Sequence, residues 1–487
     1  MKRLKLIIGI SLLALITSLI LFSFKKKNVD NGSQKQAMEK PNIIFLLTDD
    51  QRWDAMGAMG NPIIQTPNMD KLATAGVLFQ NAYVTTSICC VSRASILTGQ
   101  YESAHHIHDF STDLSPEEVA NTYPALLKNA GYHLGFIGKF GIGQHPPEQL
   151  FDFFVNSEAG GKGQPDYITT DKNGNKVHDT DTLGHAIQHF LDEYGDNKKP
   201  FCLSVSFKAP HEQDGNPPTY VIQPKYKDYY KNVVIPEPVT AAPKYWNQLP
   251  AFFRTDTNFG RARWKGLFGT PELYQENVKN YYRLITGVDD VIGDMMKKLD
   301  ELDIAKNTII ILMGDNGMFL GEHGMEGKWY GYEESIRVPF LIYDPNLPDK
   351  IKQYKAPQIA LNIDVAPTIL AMAGVKAPKG MQGVNLVDMM ENRICERKDF
   401  FYQYYFLGGA RLPREEGVVT KDFKYMNYIE HNYEELFDIR HDPHETTNLA
   451  SDPKYQLELK TLRTRYKELK KIHGVPSSEW DNAKAKF

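Results

Sequence analysis

Several polar residues stand where an apolar run ends, and their types limit the chemistry the chain can carry. Asp49 and Asp50 follow the run Asn42 to Thr48, and Asp315 and Asn316 follow Thr308 to Met313. Gly138 and Lys139 follow Leu134 to Ile137, and Lys208, Pro210 and His211 follow Phe201 to Phe207. Two adjacent carboxylates repel unless a positive charge stands between them. A metal ion resolves that conflict. Asp315 and Asn316 would complete an all-oxygen set that suits a hard cation, calcium first and magnesium as the alternative. Zinc fits less well, because no histidine or cysteine cluster has its ligand spacing. A plainer reading has Asp49-Asp50 capping a helix and Asp315-Asn316-Gly317 forming a turn.

Cysteine use raises a second question. The four cysteines are Cys89, Cys90, Cys202 and Cys395. The neighbours Cys89 and Cys90 cannot easily pair with each other, and four are too few to staple a chain of this length. Either they are small buried hydrophobes or one of them does chemistry.

The elements that would position these residues read as an α/β fold. The four runs above, with Val338 to Tyr343, look like buried strands of a parallel sheet. Helical patterns lie between them at Tyr123 to Ala130, Thr182 to Tyr194 and Gln275 to Leu302. In such sheets ligands bind outside the carboxyl ends of the strands. Four strands therefore deliver acids, an amide, lysines and a histidine to one edge, which predicts one polar site. After Met381 the texture changes. Phe400 to Phe406 and Val418 to Tyr428 suggest a small antiparallel sheet. A helix over Pro453 to Ile472 would follow, with Leu457, Leu462, Tyr466 and Leu469 on one face and Asp452 as cap. The expected fold is a large domain with a mostly parallel central sheet flanked by helices, plus a small C-terminal subdomain with an antiparallel sheet and a helix. The expected divisions are residues 1–40, 41–391 and 392–487.

The bulk properties exclude some functions. The 487 residues are 42% hydrophobic and 24% charged, and the formal charge is -4. That balance lacks the basic excess of a nucleic-acid binder. An anionic substrate would need a local cluster of cations. At the N-terminus, Lys2, Arg3 and Lys5 precede an apolar run from Leu6 to Phe24, closed by Lys25, Lys26 and Lys27. This predicts export to the periplasm or beyond the cell. The run is long for a cleaved signal and lacks a small-residue cleavage site, so an uncleaved membrane anchor is the alternative. The absence of a nearby cysteine argues against a lipid anchor. Asn28 to Lys40 reads as a polar linker.

The segment Cys89-Cys90-Val91-Ser92-Arg93-Ala94-Ser95-Ile96-Leu97-Thr98-Gly99 closely resembles the maturation signature of the type I sulfatases, in the alkaline phosphatase superfamily. In that family a cysteine four residues before an arginine, with Thr-Gly beyond, is oxidised to formylglycine by a maturation enzyme. Only Cys89 has that spacing to Arg93. The likeness extends to Leu46 to Gln51 and Gly314 to Gly317 as metal-binding segments. It continues in Gly138-Lys139, Ala209-Pro210-His211, Gly327-Lys328-Trp329 and the stretch Glu435 to Ala450. Order and spacing are kept over nearly everything from Pro41 onward.

The resemblance implies hydrolysis of a sulfate ester, with Asp49, Asp50, Asp315, Asn316 and the modified Cys89 around calcium. Of the two hydroxyls on a hydrated aldehyde, one attacks sulfur and the other expels sulfate, where a serine would stop as a stable ester. Arg93 would steady the hydrate, Lys139 and Lys328 would grip sulfate oxygens, and His211 would be the general acid. His323, within Leu320 to Gly324, resembles a substrate-side loop of sulfatases acting on sulfated sugars. Two positions depart from the pattern. Val91 replaces the usual proline or alanine read by the maturation enzyme. Gly141 stands where the lysine motif normally reaches a histidine that serves the last step, leaving His145 and His323 as candidates. Competing readings are a phosphodiester or phosphonate monoester hydrolase of the same superfamily, and a catalytically silent binder of sulfated glycan should Cys89 remain a thiol.

Overall fold

All five runs read as strands are strands, and the sheet they build contains three more. The computed structural model describes residues 40–476 except 159–163, 172, 197, 256, 350, 393–396, 407–411 and 475. The N-terminal basic and apolar segment, the linker up to residue 39, and Cys395 lie outside the described residues. The strands of the large sheet are β1 (Asn42–Asp49), β2 (Val77–Tyr83), β3 (His133–Gly138), β4 (Phe153–Asn156), β5 (Phe201–Pro210), β6 (Thr308–Gly314), β7 (Phe340–Tyr343) and β8 (Tyr354–Leu361). Their order is β8-β2-β7-β6-β1-β5-β3-β4.

Six of these strands run with β1, or with its neighbours, in parallel. The exception is β7, antiparallel to both β6 and β2, which corrects the expectation that Val338 to Tyr343 joins a parallel sheet. The reason lies in the connection. A parallel return needs a long crossover, usually a helix. Residues 315–339 instead form a small hairpin of Phe319–Leu320 and Glu326–Gly327 and the four-residue helix Glu333–Ile336, with no crossover helix, and re-enter the sheet antiparallel.

Both faces of the sheet are covered. Ile43, Phe45 and Leu47 of β1 belong to one apolar cluster, and Ile44 and Leu46 to the other. A strand buried on two faces is continuously apolar, which is why these runs stood out. On one face lie helices α2 (Cys89–Thr98), α3 (Tyr123–Asn129) and α6 (Val365–Met372). On the other lie α1 (Pro67–Ala75), α4 (Asp179–Tyr194) and α5 (Pro271–Glu301). Helix α5 starts at Pro271, one turn before the expected start, because the Thr270 hydroxyl accepts from Leu273 N at 3.3 Å and proline suits the first helical position. Its stripe of Tyr274, Val278, Tyr281, Ile285, Val288, Ile292, Met295 and Leu299 packs on the sheet.

The C-terminal part is an antiparallel sheet of β9 (Asp399–Tyr404), β10 (Glu415–Thr420), β11 (Lys424–Tyr428) and β12 (Tyr433–Phe437), followed by α7 (Gln456–His473). The stretch Val418 to Tyr428 is thus a hairpin. Asp452 caps the turn before α7, accepting from Lys454 N at 2.9 Å. Leu457 is 78% exposed instead of facing inward. The buried stripe is Leu459, Leu462, Tyr466 and Leu469, whose spacing follows the helical period better than the interval from Leu457 to Leu462 does. Phe400, Val418, Leu436 and Leu459 share one apolar cluster with β1, so this sheet and the large sheet have a common core. No helix among the described residues is long and apolar enough to cross a membrane.

Candidate active site

Because β6, β1, β5 and β3 are consecutive and parallel, their carboxyl ends lie side by side. That places Asp315-Asn316, Asp49-Asp50, His211 and Lys139 along one edge. Strand β2 has the same direction as β6, so its exit through residues 84–88 brings the start of α2, and with it Cys89, to that edge. Lys328 arrives from the β6–β7 connection. Asp49, Asp50, Cys89, Arg93, Lys139, His211, Asp315, Asn316 and Lys328 are all buried. Helix α2 is buried over its whole length and closed by Gly99 at φ 66°, a left-handed position that favours glycine.

Cys89 sits at the centre of the group. Its Sγ is 3.2 Å from Asp49 Oδ1 and 3.5 Å from Lys328 Nζ. Lys139 Nζ reaches Asp49 Oδ2 at 2.5 Å, and Lys328 Nζ reaches Asp50 Oδ1 at 2.6 Å. Arg93 donates to Asp315 Oδ2 at 2.9 Å, to the Lys139 carbonyl at 2.8 Å and to Ser206 Oγ. Asp315 Oδ1 accepts from Asp50 N at 3.1 Å, and Asn316 Nδ2 donates to Asp50 Oδ1 at 2.5 Å. His211 Nε2 is 3.5 Å from Asp50 Oδ2, and its Nδ1 is 2.6 Å from the Glu212 carbonyl oxygen.

The electrostatics separate the two neighbouring acids. Burial alone would push both carboxyls up. For Asp49 the surrounding Lys139, His211, Arg93 and Lys328 reverse this and hold it well below the usual carboxylate range. Asp50 moves the other way, raised by burial and by Asp49, Glu212 and Asp315 against the pull of Lys328. The three aspartates are matched in number by Arg93, Lys139 and Lys328, but Asp50 and Asp315 are both raised by burial and by neighbouring acids, a state that one more cation relieves. The donors for it are in place. Ligand atoms of Asp49, Asp50, Cys89 and His211 all lie within 4.8 Å of one another. Asn316 Oδ1 is buried with no hydrogen-bond partner. These residues fit a metal ion, and no stretch of sequence shows the set, because its members come from separate strand ends. Burial and Asp49 push the Cys89 thiol well up, so the unmodified side chain stays protonated and is a poor nucleophile. Burial brings His211 down to about 4 despite Glu212.

Other expected positions fall elsewhere. A side chain cannot be added at Gly141 without movement: φ is +71°, and a Cβ would stand 2.7 Å from Arg93 Cδ. The turn is held instead by Glu158, which accepts from Phe140 N at 3.0 Å and Gly141 N at 3.2 Å. His145 is exposed and pairs with Asp113 at 2.8 Å. His323 packs against Tyr332 and Phe319, and lines a cavity of about 260 Å³ with Tyr245, Glu435 and Glu445. Sequence reasoning missed Ser206, Glu158 and three tyrosines that bond the backbone of the site: Tyr281 to Asp50 O, Tyr402 to Trp329 O and Tyr167 to His211 O. Tyr281 and Tyr402 signal only membership of apolar stretches, which reads as core, and Tyr167 stands in a short polar stretch with no signal at all.

Comparison with known proteins agrees with this geometry. The family profile described as Sulfatase matches residues 41–375, and one described as N-sulphoglucosamine sulphohydrolase, C-terminal, matches residues 321–472. An N-acetylglucosamine-6-O-sulfatase of Bacteroides thetaiotaomicron is 30% identical over 90% of this chain and 88% of its own. An ulvan-active sulfatase of Formosa agariphila is 29% identical over 91% of this chain and 83% of its own. A solved structure in complex with its substrate D-glucosamine-2-N,6-O-disulfate superposes with a TM-score of 0.74, at 27% identity, covering 91% of this chain and 98% of that one. A phosphonate monoester hydrolase from Silicibacter pomeroyi shares the fold, with a TM-score of 0.73 at 21% identity over 89% of this chain and 96% of its own. With profile, relatives and fold in agreement, the chain belongs to the sulfatase family and is a hydrolase of sulfuric esters.

Proposed function

We propose that this chain is exported and removes sulfate from a sulfated saccharide, through a formylglycine made from Cys89 beside a bound calcium ion. One observation carries the reading: Asp49, Asp50, Cys89 and His211 place their ligand atoms within 4.8 Å of one another, with Lys328 3.5 Å from Cys89 Sγ. A maturation enzyme would read the segment from Cys89 to Arg93. The saccharide is suggested by the names of the relatives above, and export by the N-terminal segment. The division near residue 392 is proposed as the start of a C-terminal subdomain.

A hydrated aldehyde at residue 89 would supply one hydroxyl oxygen to bond to sulfur as the bond from sulfur to the alcohol oxygen breaks. Its second hydroxyl, on losing a proton, would re-form the aldehyde as the carbon–oxygen bond to sulfate breaks. Asp49, Asp50, Asp315, Asn316 and the modified Cys89 would hold calcium, which would supply Lewis acidity at the site. The protein's own groups do the rest. Arg93, anchored by Asp315 and Ser206, steadies the modified residue. Lys139 and Lys328 remain ammonium ions, since the acids around them outweigh the cost of burial, and they balance charge on the sulfate oxygens. The Glu212 carbonyl can only accept, so His211 Nδ1 carries a hydrogen and Nε2 is the nitrogen that faces the leaving oxygen. Because burial keeps the free imidazole neutral, Nε2 must take up a proton in the substrate complex before it can give one.

The test is to chelate aldehyde-bearing enzyme and assay an aryl sulfate beside an aryl phosphodiester. Chelation is expected to lower sulfate turnover by about two orders of magnitude or more, with calcium restoring more than magnesium. Full activity after exhaustive chelation would remove the metal, and faster turnover of the phosphodiester would favour the phosphonate hydrolase reading.

A further inference from the structure

Two residues that build the site hold their backbone in the left-handed region although neither is glycine. Asp50 has φ 64° and Trp329, next to Lys328, has φ 88°. Such conformations persist only where the surroundings fix them, and they cluster at functional sites. In both cases the residue's own carbonyl is bonded by a buried tyrosine hydroxyl. Tyr281 donates to Asp50 O at 2.7 Å, and Tyr402 donates to Trp329 O at 2.8 Å. A third tyrosine, Tyr167, donates to His211 O at 2.6 Å. All three are 0% exposed.

The three hydroxyls arrive from unrelated parts of the chain. Tyr281 lies about a third of the way along α5, Tyr402 lies in β9 of the C-terminal sheet, and Tyr167 precedes the short strand Ile168–Thr170. Two of them make a second bond that widens their hold. Tyr281 Oη accepts from Arg52 N at 3.0 Å, so one oxygen fixes the chain on both sides of the Asp50 turn. Tyr402 Oη meets Ser87 Oγ at 2.7 Å, tying the peptide after Lys328 to the chain that enters Cys89.

We propose that Tyr167, Tyr281 and Tyr402 are positioning residues of the hydrolytic site, each holding through one hydroxyl the backbone that carries His211, Asp50 and Lys328. The proposal rests on the function proposed above, in which those three side chains act. A buried carbonyl requires a donor. Once the hydroxyl is gone, Asp50 and Trp329 are free to relax toward ordinary φ, which turns their own and adjacent side chains away from Cys89. Misplacement of about 1 Å in a preorganised site costs roughly a hundredfold in rate.

Tyr281→Phe, Tyr402→Phe and Tyr167→Phe each delete one oxygen and leave the ring in the core. Tyr226→Phe is the control: Tyr226 is also a buried tyrosine, and its hydroxyl bonds Asp290 at 2.6 Å rather than the backbone of the site. With preparations matched for aldehyde content, Tyr281→Phe and Tyr402→Phe should lose about tenfold or more in kcat on an aryl sulfate, with KM changed less than about threefold. Tyr167→Phe should lose this much only on a substrate with a poor leaving group. Tyr226→Phe should lower thermal stability by a similar amount and leave kcat alone. Calcium titration followed by thermal shift should show a midpoint raised at least about fivefold in Tyr281→Phe, whatever the turnover. Wild-type kcat and calcium midpoint in Tyr281→Phe and Tyr402→Phe would overturn the proposal. Aldehyde-bearing wild type with no sulfatase turnover would instead overturn the function beneath it, and the calcium midpoint would then decide alone. Should one variant fail to fold, the other two carry the test.

Discussion

Two regions of this molecule bury clusters of carboxyl groups, and they handle them in opposite ways. At the carboxyl edge of the large sheet, Asp49, Asp50 and Asp315 face Arg93, Lys139 and Lys328, and the two neighbouring aspartates are driven apart in acidity. Under the C-terminal sheet, Glu333, Glu415, Glu435 and Glu445 are equally buried, but Lys424 lies between only two of them, 2.9 Å from Glu333 and 2.8 Å from Glu445. The others are met by uncharged donors: Glu415 by Gly331 N, and Glu435 by the hydroxyls of Tyr332, Tyr428 and Tyr433. Burial pushes Glu435 and Glu445 up to about 7. The second cluster settles most of its charge by keeping protons on Glu415, Glu435 and Glu445, while Lys424 and Arg337 outweigh burial at Glu333 and lower it. The first holds Asp49 ionised among cations and converges on one cysteine. Buried acids alone therefore do not mark a site, and neither does a split in acidity, since Glu333 is lowered while Glu445 is raised; convergence of acids and cations on one cysteine does.

A matched pair of substitutions breaks or sharpens this contrast. Lys328→Met and Lys424→Met each remove a buried cation from between acids, and each should cost about 3–5 kcal/mol of stability. Only Lys328→Met should also lower kcat of the folded protein, by about 10²–10³-fold, because its charge faces the reacting group. Unfolding curves with assays at a temperature where both variants are folded separate the two. Comparable kcat losses would erase the distinction between the regions. Within the site, His211→Ala should lose about a hundredfold on a saccharide sulfate but less than about fivefold on a nitrophenyl sulfate, whose leaving group needs no proton. Equal losses would remove His211 from the acid role.

The smallest effect tests the second region. Glu435 has a folded value of about 7, above the ordinary value near 4.3, so the native state holds a proton there that the unfolded chain has released. Its contribution is therefore complete below pH about 4.3 and is lost as pH rises through about 7. The Tm of wild type should fall across this window, and Glu435→Gln should reduce that fall by roughly 2–4 °C. Part of the slope should remain, because Glu445 titrates in the same range. An unchanged slope in melts at pH 5 and pH 8 would show that Glu435 is not protonated in the fold.

How much of this was legible follows from where each residue sits. Asp49, Asp50, Lys139, His211, Asp315 and Asn316 stand at the ends of strands buried on both faces, and the parallel-sheet rule sends such ends to one edge. Cys89 and Lys328 were legible only through motif spacing, since Cys89 enters on a helix and Lys328 on a loop. The reversal of β7 was hidden because burial makes parallel and antiparallel strands look alike in a short apolar run. The tyrosines were hidden for a related reason. Tyr281 reads as one step of a helical stripe, and nothing local points its hydroxyl at a carbonyl 231 positions away. At Gly141 the sequence showed a missing histidine but not why. Arg93 occupies the space, and Glu158, at the end of another strand, holds the turn.

The central claim is that Cys89, oxidised to an aldehyde, is the group that turns over substrate, and one measurement addresses it directly. Peptide mass spectrometry across Ser87 to Arg93 gives the fraction of Cys89 converted in each of several preparations, and kcat on an aryl sulfate is measured on the same samples. The account predicts a line through the origin. It also predicts no activity for Cys89→Ser from a host that cannot oxidise serine, and wild-type behaviour for Cys90→Ser. Full turnover by protein whose Cys89 is still a thiol would contradict it.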